Sequence, residues 1–222
     1  MNIIFEDDYI LAIHKPAGIA TQTSKIGEKD LYSEAKNHVN GNYIGIINRL
    51  DQPVEGIVLL AKSNQVAAAL EKQIQTHSME KYYHAKVYLT NPDKHDDLVD
   101  ITTDQSLFPI ALTDYMCRDK NNISRICLPD DTDAKEARLE YAIRELDEDE
   151  ALLDIHLLTG RHHQIRLQLS NAGMPILGDR KYGNEASIKY SMTNRIRNVA
   201  LCAYRLKFTH PVSGEKIELK IQ

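Results

Sequence analysis

The chain has 222 residues, 42 % apolar and 27 % charged, with a formal net charge of −5. That length allows one good core or two small ones, and the composition is that of an ordinary soluble globular protein. No basic start followed by an apolar run marks an export signal, and no apolar run approaches membrane-spanning length, so the expected home is the cytoplasm with no membrane partner.

Cys117, Cys127 and Cys202 are odd in number, far apart and at no zinc-like spacing. They favour a reducing compartment and give no expected metal site. Net acidity does not advertise a nucleic-acid partner, yet the charge is unevenly spread. Acids dominate from Asp93 to Asp154. From Ile155 to Gly214 only Asp179 and Glu185 oppose Arg161, Arg166, Arg180, Lys181, Lys189, Arg195, Arg197, Arg205 and Lys207. If these face one cleft, that cleft is positive although the protein is not; the alternative is scatter over a solvated surface.

Residues 2–13 place two apolar groups around Glu6-Asp7-Asp8, which predicts a hairpin. His14-Lys15-Pro16-Ala17-Gly18 ends it. Pro16 fixes its own φ, disfavours helix at Lys15, and Gly18 can take positive φ. Lys15 either pairs a phosphate or braces the loop. Asp30 is a candidate N-cap for a short helix to Val39.

Arg49-Leu50-Asp51-Gln52-Pro53 then leads through Val54-Glu55-Gly56 into the apolar run Ile57 to Ala61, a polar loop at the mouth of a buried strand. In extended backbone Arg49 and Asp51 would point the same way. A carboxylate beside a guanidinium stays ionised near neutral pH, the state a nucleophile or general base needs. A surface ion pair closing a loop is the other reading, and both stay open here.

Ser63 can cap a second helix to Ile74. Glu80 to Leu89 is a strand with Tyr83, Ala85, Val87 and Leu89 on one face, so Tyr83 is a core ring or a ring that stacks on a base. Residues 91–129 are acidic and weakly patterned, an excursion of short strands and loops. Ala137 to Leu146 and Ala151 to Leu158 form an antiparallel pair around an acidic turn. Thr159 can cap a helix carrying Ile165, Leu169 and Ala172 on one face, with Arg161 in its first turn, where a helix N-terminus and a guanidinium together can hold an anion. His162 and His163 are adjacent, face different sides of such a helix and are no ligand pair.

Residues 173–183 form a loop set by three glycines and a proline, in which Asp179 braces Arg161 or Arg180 or is exposed. Residues 184–197 show little pattern. Leu201 to Phe208 is a strand whose alternation slips, consistent with a bulge, and Glu215 to Ile221 closes the chain as a strand. Strands outnumber helices and most pair antiparallel, so the class is α+β.

Arg49-Leu50-Asp51 with Gly56, and Gly160-Arg161-x-His163-Gln164-Ile165-Arg166, resemble the two main signatures of the RluA-type pseudouridine synthases. Four smaller matches follow in order: Lys15-Pro16-x-Gly18, Lys81-x-Tyr83-x-Ala85, Gly173-x-Pro175-Ile176-x-Gly178-Asp179 with Tyr182-Gly183, and His210-Pro211. The similarity covers nearly the whole chain. It implies a mixed, mostly antiparallel sheet with flanking helices in two packed halves, an RNA cleft between them, and residues 1–222 as a single catalytic domain without an amino-terminal S4-like module.

The implied reaction turns a uridine of RNA into pseudouridine with no cofactor or metal. Asp51 matches the essential aspartate, Tyr83 the tyrosine that stacks on the target base, and Arg161 the arginine that pairs with the aspartate. Arg49, Lys15, His163, Gln164, Arg166, Arg180 and Lys181 match RNA-contacting or supporting positions. The implied partner is a stem-loop of ribosomal or transfer RNA, met by a monomer. Asn48, Val54-Glu55, His162 and Gln168 depart from the family's usual residues. Glu55 near an RNA-contacting loop needs a cationic neighbour such as Lys15 or Arg180. The acidity and Glu55 motivate a second reading, a non-catalytic RNA-binding or ribosome-assembly protein on the same scaffold.

Overall fold

The computed structural model describes residues 1–25, 27–90, 107–119 and 123–221. The chain divides into two compact units, Met1–Lys81 with Cys202–Gln222, and Tyr82–Leu201.

The first unit begins with the expected hairpin, β1 (Asn2–Glu6) and β2 (Ile10–Lys15), paired antiparallel. Asp7 sets its turn, its Oδ1 accepting from the amides of Tyr9 and Ile10 at 2.8 and 2.7 Å. Helix α1 (Leu31–His38) starts at Asp30, whose carboxylate accepts from the amides of Ser33 and Thr23. The short β3 (Gly45–Ile46) pairs with β4 (Glu55–Ala61), which also lies antiparallel to β2. Helix α2 (Asn64–Gln75) is capped by Ser63. β10 (Leu201–Thr209) runs parallel to β4 at Cys202 and Ala203, and β11 (Lys216–Lys220) returns antiparallel along β10.

The apolar run at 57–61 is wholly buried because β4 is a central strand, and its Ile57, Leu59 and Ala61 share one core with Ile10, Ala12, Leu70 and Phe208. Gly56 sits at φ +136°, and a Cβ there would meet the backbone N and O of Ala203 at 2.5 Å. Only glycine permits that approach of β10 to β4. The slipped alternation in β10 is not a bulge against β11, whose register is continuous from Arg205 to Thr209. It reflects burial of both Ala203 and Tyr204, where β10 leaves β4 and meets β11.

The second unit is built on an antiparallel sheet of β5 (Glu80–Tyr88), β9 (Glu150–Leu157), β8 (Lys135–Leu146), β6 (Ile110–Arg118) and β7 (Ser124–Cys127), in that spatial order, so β5 and β6 meet β9 and β8 and not each other. Tyr83, Ala85, Val87 and Leu89 are all buried, as their spacing predicts. Of the excursion expected over 91–129, residues 91–106 and 120–122 lie outside the described residues; the rest supplies the β6–β7 hairpin. Helix α3 (Gln164–Asn171) lies against β7. The segment after it runs beside β5, with Tyr88 N donating to Pro175 O and Leu177 N to Lys86 O, both at 2.9 Å.

Residues 184–197, read as unpatterned, contain helix α4 (Glu185–Thr193), capped by the Asn184 side chain on the Ser187 amide. Among the described residues, no helix is long and apolar enough to cross a membrane.

Candidate active site

In the first unit, Asp51 lies half-buried in the loop before β4. The backbone on both sides of it is pinned. Leu50 N donates to Thr21 Oγ1 at 3.1 Å, and that hydroxyl donates back to Leu50 O at 2.9 Å. Gln52 O accepts from Gly18 N at 2.8 Å, and Gln52 Nε2 donates to Gly18 O at 3.0 Å. Val54 N closes the turn onto Asp51 O at 3.0 Å. The loop 15–21 thus serves as the bed for the loop that carries the aspartate.

Lys15 is part of that bed. Its side chain is fully buried, and its ammonium donates to the carbonyls of Ile19, Pro16 and Gln52 at 2.7, 3.1 and 3.3 Å. Of the two readings left open, the structure shows the brace, and a phosphate contact is incompatible with this burial. Desolvation pushes the Lys15 pKa down to about 8, against the opposing pull of the Asp51 and Glu55 charges.

Arg49 and Asp51 lie in the loop before β4, outside any strand, and Asp51 opens the turn that Val54 closes. Arg49 is exposed and its Nη2 donates to Gln22 Oε1 at 2.8 Å. Asn48 clamps β4, donating to Ile57 O and accepting from Leu59 N at 3.0 and 2.8 Å. Glu55 pairs with His14, Oε1 to Nε2 at 2.7 Å, and with neither cation expected. The partner was hard to foresee because His14 meets Glu55 only through the β2–β4 register.

In the second unit, the Gly160-to-Arg166 signature folds differently from a simple capped helix. Helix α3 starts three residues later than Arg161, and its N-cap position is His163 in the left-handed conformation, φ +56°. Thr159 does not cap α3. Its hydroxyl donates to Gln164 Oε1 at 2.8 Å and accepts from Arg138 N at 2.8 Å. Buried Gln164 also accepts from Arg161 N at 2.9 Å and donates to Arg138 O and Gln168 Oε1 at 3.1 and 2.9 Å. Gln168, fully buried, passes the network on to Asp114 Oδ2 and Ala137 O at 2.8 and 3.1 Å. A buried amide whose donors and acceptors are engaged fixes its surroundings, and here it fixes the turn that presents Arg161. The Arg161 side chain is exposed, with Nε donating to Glu136 O at 2.9 Å.

Asp179 braces Arg166, and neither Arg161 nor Arg180. Both partners are buried, and the pair is bidentate, Nε to Oδ2 at 2.6 Å and Nη2 to Oδ1 at 2.9 Å. Burial raises the Asp179 pKa, but the Arg166 hydrogen bonds and charge and the amides of Lys181 and Tyr182 outweigh it and leave it below the ordinary value. Arg166 also lies over the Tyr182 ring at 5.2 Å, and Tyr182 Oη is hydrogen-bonded to His163 Nδ1 at 2.8 Å. This chain of contacts holds the signature rigid. Arg180 and Lys181 are exposed on the loop beside it, with Lys181 Nζ over the Tyr182 ring at 5.6 Å. Tyr83, buried on β5, belongs to the same unit.

The β6–β7 hairpin brings together cysteines that are distant in sequence. Ligand atoms of Cys117, Cys127 and Asp131 lie within 4.8 Å of one another, a group that spacing alone did not reveal. Desolvation, then the neighbouring Cys117 thiol, pushes the Cys127 thiol up to about 11, so it is protonated at neutral pH.

The fold is that of a pseudouridylate synthase. The solved structure of Human RNA Pseudouridylate Synthase Domain Containing 4 matches with a TM-score of 0.73 at 18 % identity, covering 100 % of this chain and 88 % of that one. Human RNA Pseudouridylate Synthase Domain Containing 1 matches at 0.74 and 16 % identity, covering 100 % and 82 %. Residues 9–171 match the family model for RNA pseudouridylate synthase, and the chain belongs to that family.

Its similarity to tRNA pseudouridine synthase C of Pectobacterium carotovorum subsp. carotovorum is 30 % identity over 233 residues, 99 % of this chain and 58 % of that protein. To the dual-specificity RNA pseudouridine synthase RluA of Vibrio parahaemolyticus it is 29 % identical over 217 residues, 96 % of this chain and 79 % of that one. The chain therefore spans less than two thirds of the first of these relatives.

Proposed function

We propose that this protein isomerises a uridine in structured ribosomal or transfer RNA to pseudouridine. In this reaction the bond from the ribose to N1 of the base breaks, the base turns over, and a bond from the same ribose carbon to C5 replaces it. The C5 proton leaves and N1 gains one, so the sum is an isomerisation and needs no oxidant, cofactor or metal. A base in a duplex is out of reach of such chemistry, so the nucleotide must first leave its stack.

Asp51 acts on the ribose as nucleophile or base. The Tyr83 ring stacks on the detached base, and its hydroxyl takes part in removal of the C5 proton. Arg161 serves the aspartate in the RNA-bound state. His163, Gln164 and Arg166 support Arg161, while exposed Arg49, Arg180 and Lys181 meet RNA. The two compact units act as one catalytic domain, in the cytoplasm and as a monomer.

The observation that carries this reading is the loop at Asp51, inside the family-matched segment and pinned on both sides by Thr21, Gly18 and Lys15. Such pre-organisation suits a reacting group more than a solvent-exposed ion pair. The test is to incubate cellular RNA from a strain lacking the protein with wild type or Asp51→Ala and map pseudouridines base by base. New sites made by wild type and missing with Asp51→Ala are expected. RNA binding without any new site would favour the non-catalytic scaffold reading.

A further inference from the structure

Beside Arg161, the β6–β7 hairpin and the turn at 160–162 line a half-open cleft of about 420 Å³. This lies within the range of about 300–1,000 Å³ found for small-ligand sites. Three exposed cations, Arg118, Lys135 and Arg161, line it, against one carboxylate, Asp133. That balance is opposite in sign to the whole chain, whose net charge is −5. Buried Met116 lies behind the cleft.

The remaining wall is a fixed ring. Buried Ser124 lies with Oγ 2.8 Å from His162 Nδ1 and 2.9 Å from His162 O. A hydroxyl has one proton, so the arrangement that satisfies both contacts has Ser124 donating to the carbonyl and Nδ1–H donating to Oγ. His162 also stacks on His163, centroids 3.7 Å apart, and His163 is held by Tyr182. A flat ring locked by a serine and backed by a second ring, next to three cations, is a surface for a base and its phosphate.

We propose that this cleft is a second nucleotide subsite, which takes a nucleotide flanking the uridine to be isomerised. Its phosphate lies between Arg118 and Lys135, and its base lies against His162. The assignment rests on the RNA reading above and extends it. It also gives His162, a departure from the family's usual residue, a role in choosing the flanking sequence.

The test uses the full chain and a fluorescent oligouridylate of about twelve nucleotides, a length in the range of single-stranded binding sites. Affinity is followed by anisotropy from about 50 to 200 mM salt. Arg118→Gln with Lys135→Gln should weaken binding about tenfold at low salt. It should flatten the plot of log affinity against log salt by about 0.7, the loss of one phosphate contact on a single strand. His162→Thr should weaken binding at least threefold without changing that slope. Isomerisation at saturating RNA should change less than about twofold in the charge variant.

Unchanged affinity and slope in the charge variant, or unchanged affinity in His162→Thr, would overturn the subsite even if the wild type isomerises RNA. A wild type that isomerises nothing while these variants still lose affinity would keep the subsite and sink the enzyme reading.

Discussion

Asp179→Asn tests the support of the signature. The wild-type carboxylate is 2 % exposed and accepts from Arg166 Nε, Arg166 Nη2, Lys181 N and Tyr182 N. Asparagine keeps the shape but has one acceptor oxygen and brings a donor NH₂ into a ring of donors. It also strands the Arg166 guanidinium, itself only 5 % exposed. Two unit charges about 4 Å apart at an effective dielectric of about 20 attract by about 4 kcal/mol. That agrees with the roughly 3–5 kcal/mol lost when one partner of a buried pair is removed.

Equilibrium urea unfolding followed by circular dichroism should therefore show a deficit near 4 kcal/mol at neutral pH. The deficit should have a pH signature. The folded Asp179 pKa is lowered, so its stabilisation is present above the unfolded value of about 3.9 and fades as pH falls through the folded value. The gap between wild type and variant should shrink in acid. A deficit under about 1 kcal/mol, or one that ignores acidification, would refute the claim that this pair is buried and ionised.

Lys15→Met should cost at least about 2 kcal/mol, because three carbonyls lose their shared donor; thermal unfolding reads it. Since the folded Lys15 pKa is about 8 and the unfolded one about 10.4, the unfolded chain holds more protons between them. Wild-type stability should gain from this group as pH rises through that window, and the variant should lack the gain. Gly56→Ala should destabilise by about 3 kcal/mol or more, from strain at φ +136° and contact with the Ala203 backbone. A near-neutral effect in chemical denaturation would mean that β4 and β10 part easily. Tyr83→Phe keeps the ring and loses the hydroxyl, so RNA affinity should hold while turnover falls at least about a hundredfold; equal turnover would remove the proton-transfer role.

The sequence made some elements plain and hid others for identifiable reasons. Asp30 and Ser63 announce α1 and α2 because an N-cap followed by apolar periodicity is a local signal. Helix α4 carried its own marker, Asn184 before Glu185 and three residues before Ser187, but it buries mainly Ser187 and Ser191, so no apolar stripe accompanies the cap. Helix α3 was displaced because Gln164 folds back on Thr159 and Arg161, forcing a left-handed His163 where a helical turn was expected. Positive φ at a histidine has no reliable sequence mark.

The loop at Asp51 was legible as a polar segment entering a buried strand. Its bed was not, because Thr21 and Lys15 reach it across long sequence separations. The same holds for Arg166 with Asp179, and for Glu55 with His14. Two of the family departures became intelligible only in three dimensions: Asn48 clamps β4, and Gln168 completes a buried amide network.

The central claim is that Asp51 drives exchange of the glycosidic bond from N1 to C5. RNA carrying tritium at C5 of uridine reports this directly, because the label leaves as a proton when C5 joins the ribose. Wild type should release tritium into water from the sites that map as pseudouridine, and Asp51→Asn, close to the same shape without the charge, should release none. Release by the variant at the wild-type rate, or no release by the wild type from any cellular RNA, would contradict the account.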